Sequence, residues 1–215
     1  MRAWCKRHPM GFLMLFFCVY MAAFETLELL VQPRFLIHCP LDDLIPFTRF
    51  AIIPYCIWYA WVPFTLLYLL RRDRDSFWLM CRLLVTGVCI SLALYAIFPS
   101  GLALRRPIAG NDFLSRAVLL LRQVDTPTNV CPSLHVFCSV LIVQMNTHSP
   151  VLRRTRFLYG FNRALCPAVC ASTVLLDQHS CVDVVCGILL AILVYEGTMI
   201  LSQPRVSRSL SGRRI

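Results

Sequence analysis

Two short stretches of this sequence carry side chains suited to phosphoryl chemistry. The first runs from Arg105-Arg106-Pro107 through Asp125 to Asn129-Val130-Cys131-Pro132-Ser133-Leu134-His135. The second runs from Ser172 through Asp177-Gln178-His179 to Asp183. An arginine fork matches the oxygens of a phosphate. Proline suits the first position of a helix, because its missing N–H would be unpaired there anyway. With Pro132 at that position, the N–H groups of Ser133 and Leu134 would point out of a helix N-terminus, which favours anions, and the Ser133 hydroxyl adds a donor. His135 lies close enough to such an anion to protonate a leaving alkoxide, a role typically worth about 10²–10⁴-fold in rate.

His179 and Asp183 are four residues apart and share a helical face. A carboxylate on one imidazole nitrogen fixes the tautomer and leaves the other nitrogen free to attack. Attack on phosphorus gives a phosphohistidine, resolved by water or by an alcohol. This chemistry calls for no metal and no cofactor, and the chain lacks the carboxylate cluster of a two-metal phosphatase. Each residue also has a plainer reading. A histidine at a helix end is commonly a satisfied polar group, an aspartate at a helix start a dipole partner, and Pro-Ser a helix start. Two histidines, an aspartate and an arginine expected at one membrane face make the joint reading stronger than its parts.

The elements that must position these residues follow from composition. The chain has 215 residues, 58% of them hydrophobic and 15% charged, with mean hydropathy +0.67. Soluble domains carry roughly 45–50% apolar and about 25% charged residues, so disorder and an ordinary soluble enzyme are excluded. An all-α integral membrane bundle is expected, a single membrane domain over residues 1–215. Six apolar segments approach the roughly 20 residues a spanning helix needs: Met10–Val31, Ile52–Leu70, Phe77–Phe98, Ser133–His148, Leu158–Leu176 and Cys181–Leu201. The first is too long for a cleaved signal peptide and no small-residue cleavage site follows it.

The net charge of +10 does not point to nucleic acid, because the arginines cluster between apolar runs, where they orient helices and meet anionic headgroups. Thirteen basic residues fall on one face: Arg2, Lys6 and Arg7, then the turns at Arg71–Arg74 and Arg153–Arg156, then Arg205, Arg208, Arg213 and Arg214. Six fall on the other. Both termini are therefore expected in the cytoplasm, with a basic tail over 203–215, and the loops at 32–51, 99–132 and 177–180 on the extracytoplasmic side. The 99–132 loop carries Arg105, Arg106, Arg116 and Arg122 against that rule, and an anionic ligand is the simplest reason.

Most of the twelve cysteines lie in apolar runs and read as small buried hydrophobes. Cys131 and Cys181 flank the two chemical stretches and could pair on an oxidising face. Glu25 and Glu28 near the outer end of the first helix could reach the interface, Arg34 or a headgroup.

At these residues the sequence resembles the type 2 phosphatidic acid phosphatase superfamily, which includes lipid phosphate phosphatases and the related inositol phosphorylceramide and sphingomyelin synthases. Pro132-Ser133-Leu134-His135 matches its Pro-Ser-x-His signature. Ser172, His179 and Asp183 keep the spacing of its Ser-Arg-x5-His-x3-Asp signature, and Arg106-Pro107 keeps its Arg-Pro pair. Leu41 through Phe47, Pro54-Tyr55, Trp58-Tyr59 and Phe98-Pro99-Ser100 look like a membrane branch of that superfamily. The resemblance spans roughly residues 40–187, within a core extending to about residue 201. It implies His179 as nucleophile, Asp183 as its partner, His135 as proton donor, and Arg106 and Ser133 as phosphate ligands. Ser172, Arg105 and Asn129 join them as candidate substrate contacts. The signature lysine falls on Pro99 and the signature arginine on Thr173, while Asp177 stands where a lysine is common. The implied reaction is hydrolysis of a lipid phosphate or diphosphate at the outer leaflet. Transfer of a headgroup to an alcohol and a catalytically silent relative are the alternatives.

Overall fold

The protein is described by a computed structural model covering Trp4 and residues 7–202. The basic tail and the N-terminal Arg2 and Lys6 lie outside the described residues.

The molecule is mostly helical. Its helices are α1 (Pro9–Leu30), α2 (Ile52–Arg72), α3 (Arg74–Ile97), α4 (Phe113–Val124), α5 (Leu134–His148), α6 (Pro150–Arg154), α7 (Arg156–Leu175) and α8 (Cys181–Ser202). Each of the six expected apolar segments is a helix within a few residues of its expected ends. Four of them, α1, α2 with its preceding turn, α3 and α8, are long and apolar enough to cross a membrane. α5 and α7 do not qualify. The 15 residues of α5 rise only about 22 Å against a hydrocarbon core of about 30 Å. α7 is long enough but carries Arg156, Asn162 and Arg163.

The 99–132 loop is not irregular throughout. It contains α4, whose Val118 and Leu121 pack on Ile52, Tyr55 and Leu176. Asp112 caps α4 by accepting from the N–H groups of Leu114 and Ser115, as an N-cap aspartate should. Two short parallel strands, β1 (Phe35–Leu36) and β2 (Ser100–Gly101), tie the end of α1 to the end of α3. The Thr48 N–H donates to the Leu175 carbonyl at 2.9 Å, and the Ser133 N–H donates to the Asp183 carbonyl at 3.2 Å. The ends of α1, α3 and α7 and the starts of α2, α5 and α8 therefore meet at one end of the bundle.

Phe77, Met80, Leu83, Phe137, Leu141, Ile142 and Met145 form the central core between α3 and α5, and are fully buried. A polar chain crosses it. Trp61 Nε1 donates to Asn162 Oδ1 at 2.9 Å, and Asn162 Nδ2 donates to Asn146 Oδ1 at 2.7 Å. This joins α2, α7 and α5 through groups that would be costly if left unpaired. At the opposite end from the chemistry, Asp73 caps α3 through Ser76 N–H and also accepts from Ser149 Oγ at 2.6 Å.

α8 reaches the start of α5 because residue 187 is glycine. A Cβ there would lie 2.7 Å from the Ser133 carbonyl oxygen and 3.0 Å from Val136 Cβ. Gly187→Val is expected to destabilise the detergent-solubilised protein by roughly 1–3 kcal/mol through overpacking, read as a lowered thermal midpoint. Gly197→Ala, which meets nothing within 4 Å, should not lower it.

Candidate active site

Pro132 is not in α5. The helix begins at Leu134, with Ser133 as its extended N-cap and His135 as its second residue. The expected anion site of free N–H groups is thus corrected at Ser133, whose N–H is taken by the Asp183 carbonyl. What Ser133 offers instead is its hydroxyl, which is fully buried and has no partner. The approach to α5 is fixed from three sides. Ser100 Oγ accepts from the N–H groups of Val130 and Cys131 at 3.1 Å each. The Ser100 carbonyl accepts from Asn129 N–H at 2.8 Å, and Tyr95 O–H donates to the Pro132 carbonyl at 2.7 Å. The Phe98-Pro99-Ser100 segment therefore holds the loop that delivers Ser133 and His135.

His135 packs between Tyr55 and Trp58, with ring centroids 4.4 and 4.3 Å away. Tyr55 O–H donates to Asp125, which fixes the ring that His135 leans on. The His135 Nε2 atom is buried without a partner.

His179 reaches the same place from a tight turn between α7 and α8. The Thr173 carbonyl accepts from both Gln178 and His179 N–H groups, and Asp177 takes a left-handed conformation at φ 57°. The His135 and His179 rings are 6.0 Å apart between centroids. His179 Nδ1 lies 3.4 Å from Asp183 Oδ2, an oxygen that also accepts from Ser180 N–H at 2.8 Å. Asp183 Oδ1 is buried and unpartnered. The structure thus brings together Ser133, His135, His179 and Asp183, with His179 Nε2 on the imidazole edge away from the carboxylate.

The remaining candidates have other partners. Arg106 donates to Asp177 from its backbone N–H, Nε and Nη2, the last at 2.5 Å, and to the Ile45 carbonyl. Arg122 Nη2 also donates to Asp177 Oδ2, at 3.3 Å. Asp177, 2% exposed, thus fills the fork expected to hold phosphate. Its hydrogen bond holds the Arg106 guanidinium above its ordinary pKa, whereas burial lowers Arg122. Arg105 donates to Gln178 Oε1 and to the Arg122 and Asp125 carbonyls, and burial lowers its pKa as well. Ser172 Oγ donates to the Val169 carbonyl at 2.6 Å, so its proton is used inside α7. Asn129 is buried, and its Nδ2 has no partner. Glu28 accepts from Thr126 and Thr128 rather than from Arg34.

Sequence reasoning gave Asp42 no role, and the structure gives it one. Its carboxylate, 4% exposed, accepts from Cys39 N–H at 2.8 Å, Ser180 Oγ at 2.6 Å and Cys181 N–H at 2.8 Å. It therefore ties the first loop to the start of α8, beside His179 and Asp183. The one signal in sequence was its place in the Leu41–Phe47 segment. Cys181 lies next to Cys39, while Cys131 lies beside Cys186 and Asp183, and the Cys131–Cys181 pairing that sequence left open is not present, both thiols being free. Among the described residues, Cys39, Asp42 and Cys181 are a group that could hold a metal ion.

Burial opposes ionisation of Asp42, but the bonds from Cys181, Ser180 and Cys39 outweigh it and lower its pKa below the ordinary value. A carboxylate with a depressed folded pKa contributes its full stability above the unfolded value, about 3.9, and loses it as the pH falls through the folded value. The thermal midpoint is therefore expected to drop as the pH is taken below about 4, and Asp42→Asn should flatten that dependence at a lower overall stability. Comparison with protein-family models, with curated proteins and with solved structures returned no match to this chain.

Proposed function

We propose that this chain is a membrane phosphatase with both termini cytoplasmic, in which α5 and α7, too short or too polar to cross alone, complete six spans packed against α2, α3 and α8, hydrolysing a lipid phosphate or diphosphate at the extracytoplasmic face through a phosphohistidine. The observation that carries the reading is the convergence of His135, His179 and Asp183, with 6.0 Å between the imidazole rings and 3.4 Å from His179 Nδ1 to Asp183 Oδ2. Ser133 Oγ and His135 Nε2, buried without partners, are groups a bound phosphate and its leaving oxygen would satisfy.

The chemistry follows from that arrangement. His179 Nδ1 has no hydrogen-bond partner in this structure, and Asp183 Oδ2 at 3.4 Å is the acceptor that would take the Nδ1 proton as the site closes on substrate, leaving the Nε2 lone pair to attack phosphorus. The bond from phosphorus to the lipid oxygen breaks as the N–P bond forms, and the departing alkoxide takes a proton from His135. Water then attacks the phosphohistidine, gives a proton back to His135 and releases phosphate. Histidine supplies the nucleophile, so the steps require no metal. An apolar cavity of about 410 Å³ between α1, α2, α3 and α5 runs up to Trp58, Tyr59 and Leu134 beside His135, which suits a substrate with hydrocarbon chains.

A second reading is favoured by Asp177. With one of the two charges of Arg106 and Arg122 offset by the Asp177 carboxylate, the group keeps a net charge of about +1 and suits a phosphodiester with one negative charge better than a monoester with nearly two. The same histidine intermediate would then pass a headgroup to an alcohol.

Phosphate release from a panel of lipid phosphates in detergent with EDTA, with and without an added polyol or ceramide, tests both. The parent should turn over in EDTA, His179→Ala should be inactive, and His135→Ala should lose about 10²–10⁴-fold in kcat. Free phosphate identifies the phosphatase and a new diester the transferase. A folded parent that yields neither overturns both in favour of a silent scaffold.

A further inference from the structure

We infer that Cys39 and Cys181 form a disulfide in the native protein, bolting the first extracytoplasmic loop to the start of α8. The inference rests on the proposed orientation, which places both residues on an oxidising face. It goes beyond the proposed chemistry, because neither cysteine takes part in that reaction.

The geometry is independent of the orientation. The two Sγ atoms and a carboxylate oxygen of Asp42 all lie within 4.8 Å of one another. Cys39 N–H and Cys181 N–H both donate to the Asp42 carboxylate, each at 2.8 Å, one to each oxygen. Two backbones that share one carboxylate are held close in space, and a disulfide requires Cα atoms roughly 4.4–6.8 Å apart. Both are free thiols in this structure, and the bond requires sulfurs that now lie within 4.8 Å of each other to close to about 2.05 Å. Both cysteines are partly accessible, so an oxidant can reach them.

A metal ion is the competing occupant, and two features disfavour it. The Asp42 carboxylate already accepts three hydrogen bonds that fold this corner, and coordination would compete with them. Binding would also require both thiols to lose their protons, and the corner offers three ligand groups where a structural zinc site takes four.

The step is a thiol–disulfide exchange with an acceptor disulfide, either glutathione disulfide or the active-site disulfide of a thiol oxidoreductase. One thiolate attacks an acceptor sulfur and expels the first acceptor thiol. The second cysteine attacks the mixed disulfide and expels the other. The Cys39–Cys181 pair loses two electrons and two protons, and the acceptor gains both as two thiols.

The test uses the full chain in its native membranes, blocked with N-ethylmaleimide before lysis and digested without reduction. A parallel sample is solubilised in detergent and equilibrated with glutathione disulfide. The expected result is a cross-linked peptide pair containing Cys39 and Cys181 in both samples, absent from Cys39→Ser. Both cysteines carrying maleimide in both samples overturns the geometry and leaves the orientation and the phosphohistidine chemistry standing. Cross-linking in detergent but maleimide on both cysteines in native membranes also overturns the proposal, and the orientation is then what failed. Thiols that resist maleimide until a chelator is added, with no cross-linked peptide, identify a metal site and overturn the disulfide.

Discussion

A side chain at position 187 would collide with the Ser133 carbonyl, and the Ser133 N–H closes on the Asp183 carbonyl across the same gap. This approach of α8 to the first turn of α5 places His179 opposite His135. The two histidines come from segments far apart in the chain and share no direct hydrogen bond. Their separation is set by helix packing below them and by two rigid loops above. Ser100 and Tyr95 fix one loop, while Asp42 and the Thr173 carbonyl fix the other. Precise placement by surrounding packing is how a site gains orientation before a substrate arrives.

The charges at this end of the bundle are arranged in pairs. Asp177 stands between Arg106 and Arg122, and Tyr55 and Arg105 bracket Asp125 and its carbonyl. Unpaired charge is expensive in such surroundings, and Arg105, Arg106 and Arg122 are held by carboxylates and carbonyls. The buried groups without partners at this end include the neutral donors Ser133 Oγ, Asn129 Nδ2 and Gln178 Nε2 and the charged donors Arg105 Nε and Arg122 Nε. An anion held near them would meet both kinds.

The helices were legible because apolar runs of this length have few other uses, and their ends agree with the sequence reading to within a few residues. Pattern reading failed where the signal was short or the partner distant. α4 was hidden inside a long loop, although Asp112 followed by Leu114, Val118 and Leu121 carries a capping and periodicity signal. Asp42 looks like an ordinary loop aspartate until Cys39, Ser180 and Cys181 are brought around it. Asp177 was visible as an unusual residue, but its arginine partners come from two other segments. The start of α5 falls one residue after Ser133, and the contact made there is distant in sequence. The Ser133 N–H, free in an isolated helix, is claimed by α8.

α1 has no buried residue, yet it lines the apolar cavity through Met10, Leu13, Phe17 and Tyr20. In water such a helix would be pressed onto its neighbours by the hydrophobic effect. In lipid that pressure vanishes, because a hydrocarbon tail is as good a neighbour as a leucine. α1 is then retained by fit, by the Phe12–Trp78 contact near its N-terminal end and by Glu28 on Thr126 and Thr128 near its C-terminal end. Exchanging its middle for an acyl chain swaps one apolar surface for another at little cost. The wall of the cavity that is cheapest to move is the one that faces the bilayer.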